Sequence, residues 1–246
     1  MAPRMAPLWR TGAREGSVRY GPAVPDLSEG YHTTRQRISE LAADLSADDL
    51  TLPVPACPEW TVHDLLAHVV GIPEAIASGS FPSGDQQAWL DGLLKERRDV
   101  PVPELLDRWA ACAAATSGVV DGGGSLMLID LVSHEHDLRG AVGQTGARGA
   151  PEVRAIVQLM LELFAPAISD AGLGAFVVDS GEVRWASQFV RPGCTIRVDP
   201  WEATRVLMSR RTADEIRALP ITGDVEPYIE LLAAHSALPD RSLGEA

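Results

Sequence analysis

The sequence predicts a mainly α-helical protein that ends in a small α+β domain. Up to about residue 168, apolar residues recur at intervals of three and four, which is the spacing of one helix face. After Gly172 the pattern changes to short apolar runs separated by Gly, Pro and Asp, which is typical of strands joined by turns. We therefore expect a helical domain over residues 27–168 and an α+β domain over residues 169–246.

The first predicted elements are a leader and two helices. Residues 1–26 are rich in Pro, Gly and Arg without an apolar period, so we predict a disordered leader. A helix follows over residues 27–46, with Ser28 as its predicted N-cap. Three prolines then interrupt the chain, and Thr61 with Asp64 predicts a capping box at the start of the second helix.

The rest of the chain is predicted from the same signals of periodicity and turn residues. Further helices of the first domain are predicted over residues 84–98, 103–120, 125–143 and 152–168. In the second domain we predict three strands and two helices, with strands over residues 174–180, 182–189 and 194–199 and helices over residues 201–219 and 225–235.

Composition excludes several classes of protein. The 246 residues contain 34 acidic and 21 basic side chains, a formal net charge of −13. This balance argues against nucleic acid as a partner, because affinity for phosphate backbones comes mainly from clustered cations. No apolar run approaches the roughly 20 residues that span a bilayer, and the three cysteines are widely spaced. We therefore expect no membrane association, no disulfide framework and a cytoplasmic location.

Ionisable side chains on otherwise apolar helices are the main functional signal. Asp130 and His134 are four residues apart and so share a helix face, which Leu131 and Leu138 place near the core. His68 lies on the apolar second helix. If the two helices are neighbours, the three side chains converge. Two imidazoles and one carboxylate are the protein ligands of an open divalent-metal site.

Each of these residues also has a structural interpretation. A lone His on an apolar face, such as His68, is more often a hydrogen-bonded core residue than a ligand, and Asp130 with His134 could be a plain structural pair. Cys57 lies between prolines with no base apparent beside it, so we interpret it as a small buried hydrophobe. Packing roles are predicted for the tryptophans Trp60, Trp109, Trp185 and Trp201.

Two segments and the tail carry a family resemblance. The segment VPACPEWTVHDLLAHVVG, residues 54–71, resembles the Pro-Cys-Pro-x-Trp-Thr-Val-x-Asp-Leu-x-x-His pattern of the mycothiol-dependent maleylpyruvate isomerase family. The segment LIDLVSHEHDLRGAVG, residues 128–143, resembles its second signature, acid-x-x-x-His-x-x-Asp-Leu-x-x-Ala-x-Gly. Residues 201–239 are similar to the small C-terminal domain often joined to it.

This resemblance implies a DinB-like up-and-down four-helix bundle that holds a divalent metal, usually zinc, through two His and one acid. In this sequence the implied ligands are His68, Asp130 and His134, and Asp137 takes the acidic position that orients a ligand or substrate. There are two departures from the family pattern. Asp130 lies where the family pattern often has Glu, so its carboxylate extends less far from the helix. His136 lies where the pattern often has an aromatic residue, commonly Trp.

The resemblance also implies mycothiol as a thiol cosubstrate, whose thiolate a metal can stabilise without any protein cysteine. In an isomerase the thiolate would add to the carbon–carbon double bond of an enone acid, allow rotation and then leave. In an S-transferase it would displace a leaving group and stay attached. Arg211, with Arg210 beside it, is a candidate catalytic residue as a carboxylate clamp, although both could equally be solvated surface charges.

The leading hypothesis is thus a metal- and mycothiol-dependent enzyme acting on a small electrophile, with isomerisation favoured over S-transfer. A second hypothesis keeps the same ligands but places Fe(II) in a facial triad for oxygen chemistry. A third is a non-catalytic metal- or thiol-binding regulatory module, because a fold does not establish an activity.

Overall fold

The computed structural model describes residues 26–82, 84–122 and 124–245. Residues 26–147 form one compact unit, and the chain from Arg148 onward forms a second one. The predicted leader lies outside the described residues except for Asp26. The part of the chain that is described contains no helix with both the length and the apolar character needed to cross a membrane.

The N-terminal unit is a helical bundle with one small hairpin. Four helical segments pack side by side: α1, α2, α6 and the consecutive helices α4 and α5, which together make the fourth segment. Helix α3 packs against α2. Its elements are α1 (Leu27–Ala43), a 3-10 turn (Asp49–Thr51), β1 (Pro53–Val54), β2 (Cys57–Thr61), α2 (Val62–Ala77), α3 (Gln86–Arg97), α4 (Val102–Ala111), α5 (Ala113–Asp121) and α6 (Ser125–Ala141).

The first two helices begin at side-chain caps. Asp26 rather than the predicted Ser28 caps α1, since its carboxylate accepts the backbone N–H groups of Ser28 and Glu29. The capping box predicted for α2 is confirmed: the Thr61 hydroxyl accepts the Asp64 backbone N–H, and the Asp64 carboxylate accepts the Thr61 backbone N–H. The three prolines that interrupt the chain before Thr61 lie in and beside the antiparallel hairpin β1–β2, which the sequence did not predict.

A buried carboxylate joins α6 to α1. The Glu135 side chain is fully buried and accepts hydrogen bonds from Arg37 on α1 at 2.7–3.2 Å. Arg139, one turn further along α6, donates to the same carboxylate at 3.0 and 3.2 Å. Because two cations face one buried anion, this contact fixes α6 against α1.

The C-terminal unit is α+β. Its four-stranded sheet has the order β4-β3-β5-β6, with β3 and β5 parallel and the other pairs antiparallel. Helix α7 packs on α8, β3, β4 and α10. The elements are α7 (Pro151–Asp170), β3 (Ala175–Asp179), β4 (Arg184–Ala186), β5 (Pro192–Arg197), α8 (Pro200–Leu207), α9 (Ala213–Arg217), β6 (Ile221–Gly223) and α10 (Glu226–His235).

The predicted fold class, mainly α with a small α+β part at the end, is confirmed. Three further details of the helices differ. Residues 152–168 were predicted to be part of the bundle, whereas α7 packs on elements of the C-terminal unit. The helix predicted over 201–219 is two helices, because Ser209 adopts a left-handed φ of 57° after α8. The helix predicted over 103–120 is interrupted at Cys112.

Candidate metal centre

The structure brings together the three side chains that the sequence analysis selected as metal ligands. His68 comes from α2, and Asp130 and His134 come from α6, which packs against α2. His68 Nε2 lies 3.4 Å from Asp130 Oδ2, and His134 Nε2 lies 3.3 Å from Asp130 Oδ1. One ligand atom of each residue lies within 4.8 Å of the other two.

These separations fit a shared cation. Two ligand atoms at about 2.05 Å from a tetrahedral zinc ion are about 3.3 Å apart. A hydrogen bond between an imidazole and a carboxylate would be shorter, at about 2.7–2.9 Å. His68 Nε2 is buried and has no hydrogen-bond partner among the described residues. The donor set therefore fits a divalent metal such as zinc.

The Asp137 carboxylate contacts the ring nitrogen of His134 that is not directed at Asp130. Its carboxylate oxygen Oδ2 lies 3.2 Å from His134 Nδ1, and its side chain is fully buried. With Nδ1–H donating to Asp137, Nε2 keeps its lone pair on the side that faces Asp130. Such carboxylate–histidine pairs set the tautomer and the ring orientation of a metal-ligating histidine.

The charges of the cluster are strongly coupled. Burial alone would raise the pKa of Asp130, but the neighbouring His134 and His68 hold it well below its usual range. Burial would lower the pKa of His134, but the carboxylates of Asp130 and Asp137 raise it to about 9. A metal cation bound between these side chains would therefore take the place of the imidazolium proton as the positive charge next to Asp130.

The hairpin before α2 covers the cluster. The Trp60 ring lies 4.7 Å from the His68 ring and 5.8 Å from the His134 ring, measured between centroids. Asp130 is the most accessible member, with 38% of its side chain exposed against 6% and 8% for the two histidines. The cluster thus has an aromatic cover and an opening to solvent at Asp130.

Two hairpin residues belong to this site although the sequence analysis assigned them to packing. Trp60 lies over both imidazoles. Cys57 has its sulfur within 4.8 Å of ligand atoms of His134 and Asp137, so a base does lie beside it. The available signal was the Pro-Cys-Pro-x-Trp segment, but a hairpin that folds back over α6 could not be read from periodicity.

The remaining candidates lie elsewhere. His136 is buried on α6, and neither potential ligand group of the described residues includes it. Arg211 belongs to the C-terminal unit, where its guanidinium donates to Glu202 and Glu245. Burial would lower the pKa of Arg211, but these carboxylates raise it above its usual value. The role of Arg211 as a substrate clamp stays a prediction.

Part of the helical unit is similar to a known protein family. Residues 31–122 match the family model of the mycothiol maleylpyruvate isomerase N-terminal domain. None of the curated proteins matches the chain. The crystal structure of a mutant of the mycothiol-dependent maleylpyruvate isomerase is similar, with a TM-score of 0.57 and 11% identity over 83% of this chain and 95% of that one. This likeness supports the fold class. Residues 31–122 are therefore similar in sequence to the mycothiol maleylpyruvate isomerase N-terminal domain.

Proposed function

We propose that the protein is a metal- and mycothiol-dependent enzyme that isomerises a small electrophilic acid. The observation that carries the proposal is the convergence of His68, Asp130 and His134 in a helical unit whose residues 31–122 match the family model. The separations of 3.3 and 3.4 Å between their ligand atoms support a single cation shared by all three.

The side chains of the cluster have separate tasks. His68, Asp130 and His134 hold the metal, and Asp137 orients His134 through Nδ1. Trp60 shields the two imidazoles from water, while the exposed edge at Asp130 leaves a path for the thiol and the substrate. When bound, a divalent metal supplies the positive charge that keeps a coordinated thiol deprotonated at neutral pH.

Isomerisation is favoured over S-transfer because the matching family model and the similar solved protein are both named for a maleylpyruvate isomerase. The shorter Asp130 bears on the geometry of the metal site, and the histidine at position 136 is a departure that is consistent with a substrate other than maleylpyruvate. The substrate is therefore proposed as a class, namely a small carboxylic acid with a carbon–carbon double bond next to a carbonyl.

The test combines metal content with turnover. We expect purified protein to bind about one equivalent of zinc, and mycothiol to be required for isomerisation of maleylpyruvate or a related enone acid. His68→Ala and His134→Ala should each lose the metal and the turnover. His63→Gln is the matched control on α2, since His63 bonds to the Val100 carbonyl at 2.9 Å and lies outside the cluster.

The outcomes separate the hypotheses. Undiminished turnover in either alanine variant would overturn the proposal. Iron together with oxygen consumption would favour the facial-triad alternative. Metal and mycothiol binding without turnover of any enone acid or other electrophile would favour the regulatory module.

A further inference from the structure

Cys57 completes a second group of possible metal ligands beside the candidate metal centre. Its sulfur, a nitrogen of His134 and a carboxylate oxygen of Asp137 all lie within 4.8 Å of one another. This second group shares only His134 with the first group, which consists of His68, Asp130 and His134. Asp137 is fully buried, the His134 side chain is 8% exposed and Cys57 is half-buried. An ion in the second group would therefore lie mostly out of water.

The two nitrogens of the His134 ring face different carboxylates. Nε2 lies 3.3 Å from Asp130 Oδ1, and Nδ1 lies 3.2 Å from Asp137 Oδ2. A neutral imidazole has one N–H and one lone pair, so only one of its nitrogens binds a metal at a time. A lone pair on Nε2 serves the first group, and a lone pair on Nδ1 serves the second. The tautomer of His134 thus makes the two metal positions alternatives.

The hairpin fixes the position of Cys57. This residue begins β2 and pairs with Val54 of β1, whose side chain is fully buried. Strand β1 packs against α6, the helix that carries the other two ligands of the second group. Pro55 lies two residues before the cysteine and Pro58 directly after it, and both restrict the backbone. The hairpin itself therefore holds the sulfur next to α6, as a preorganised ligand.

Charge and donor type distinguish the two groups. A divalent ion with two neutral imidazoles and one carboxylate keeps one positive charge, so it can still bind a further anion such as a thiolate. A divalent ion with a thiolate, a carboxylate and one neutral imidazole is neutral. Thiolate is a soft ligand and favours soft ions. An ion in the second group must also replace the hydrogen bond between His134 Nδ1 and Asp137, so an ion with strong affinity for sulfur fits best.

We propose that Cys57, Asp137 and His134 Nδ1 form a binding site for soft divalent ions such as cadmium, and that an ion there excludes zinc from the first group. Binding releases the thiol proton of Cys57 and moves the ring proton of His134 from Nδ1 to Nε2, next to Asp130. A soft ion would thereby disable the metal centre. The proposal rests on the proposed function only for the position of zinc, and it requires neither mycothiol nor turnover, so the two can fail separately.

Titration with cadmium chloride in thiol-free buffer tests the site, because a cadmium–thiolate bond absorbs in the ultraviolet. The parent protein is His68→Ala, which keeps all ligands of the second group and lacks one of the first. Its absorption should rise and saturate at about one equivalent of cadmium. Adding Cys57→Ser should abolish this rise. The matched control is Cys112→Ser, which should keep it, since the Cys112 thiol donates to the Trp109 carbonyl and belongs to neither group.

Competition with zinc tests the exclusion. In the wild type, zinc at about 100 times its dissociation constant should raise the apparent dissociation constant of cadmium at the thiolate about 100-fold. Cys57→Ser alone should keep wild-type zinc affinity in competition with a chromogenic chelator, which also shows that it folds. Absorption that survives Cys57→Ser, or a cadmium affinity that zinc leaves unchanged in the wild type, would overturn the proposal. If His68→Ala does not fold, the wild type with and without zinc decides.

Discussion

At the scale of single residues, the candidate metal ligands could be predicted from their spacing in the sequence, but the residues that surround them could not. Asp130 and His134 share a face because helical residues four apart do so, and His68 joins them because α2 packs on α6. The hairpin residues Cys57 and Trp60 could not be placed by a helical period, since the chain reverses between β1 and β2 before it reaches α2. Long-range contacts of this kind depend on tertiary packing.

A residue-scale prediction concerns Asp137, which lies 3.2 Å from His134 Nδ1. We expect Asp137→Asn to weaken metal affinity by about 10- to 100-fold, the usual effect of losing a carboxylate behind a ligating histidine. Competition with a chromogenic chelator measures this. Asp121→Asn, at the exposed end of α5, serves as the control and should keep wild-type affinity. Equal affinities in all three proteins would contradict the orienting role.

At the scale of elements, the helices were predictable from their periodicity and capping residues, while their interruptions were not. Residues 201–219 read as one helix because Leu207 and Ile216 continue its apolar pattern. In the structure Ser209 takes a left-handed conformation and Thr212 with Glu215 forms a new capping box. The two-stranded hairpin and β6 were missed because strands of two or three residues carry too few side chains to show a period.

The contact between α6 and α1 allows a prediction about stability. Glu135→Gln removes the buried negative charge that Arg37 and Arg139 share. Breaking a buried ion pair from one side costs about 3–5 kcal/mol, so we expect a loss of this size in the free energy of unfolding. Urea denaturation followed by circular dichroism measures it. Glu104→Gln is the control, because the Glu104–Arg108 pair is exposed, and its midpoint should stay at the wild-type value.

At the scale of the whole molecule, metal binding should be linked to folding. The ligands come from two helices that are far apart in sequence, so an unfolded chain offers no preformed site. Zinc at about 100 times its dissociation constant should add about 2.7 kcal/mol to the free energy of unfolding of the loaded protein. Denaturation with zinc and with a chelator measures the difference. His68→Ala should unfold at the same midpoint in both conditions, and a difference that persists in this variant would contradict the site.

The pH dependence of stability provides a last test, in the C-terminal unit. His235 is its only histidine and lies edge-on to Phe164, with 5.0 Å between ring centroids. Burial holds the pKa of His235 below its ordinary value of 6.5. Below pH 6.5 the unfolded chain therefore takes up a proton that the folded chain does not, so stability falls as the pH drops towards the folded-state pKa.

His235→Gln removes this proton uptake and keeps a polar side chain. We expect the free energy of unfolding to fall less between pH 7 and pH 5 in the variant than in the wild type, as measured by urea denaturation at each pH. Carboxylates elsewhere contribute equally to both proteins, so the difference between the two slopes isolates His235. Parallel slopes would mean that His235 takes up its proton in the folded chain as readily as in the unfolded one.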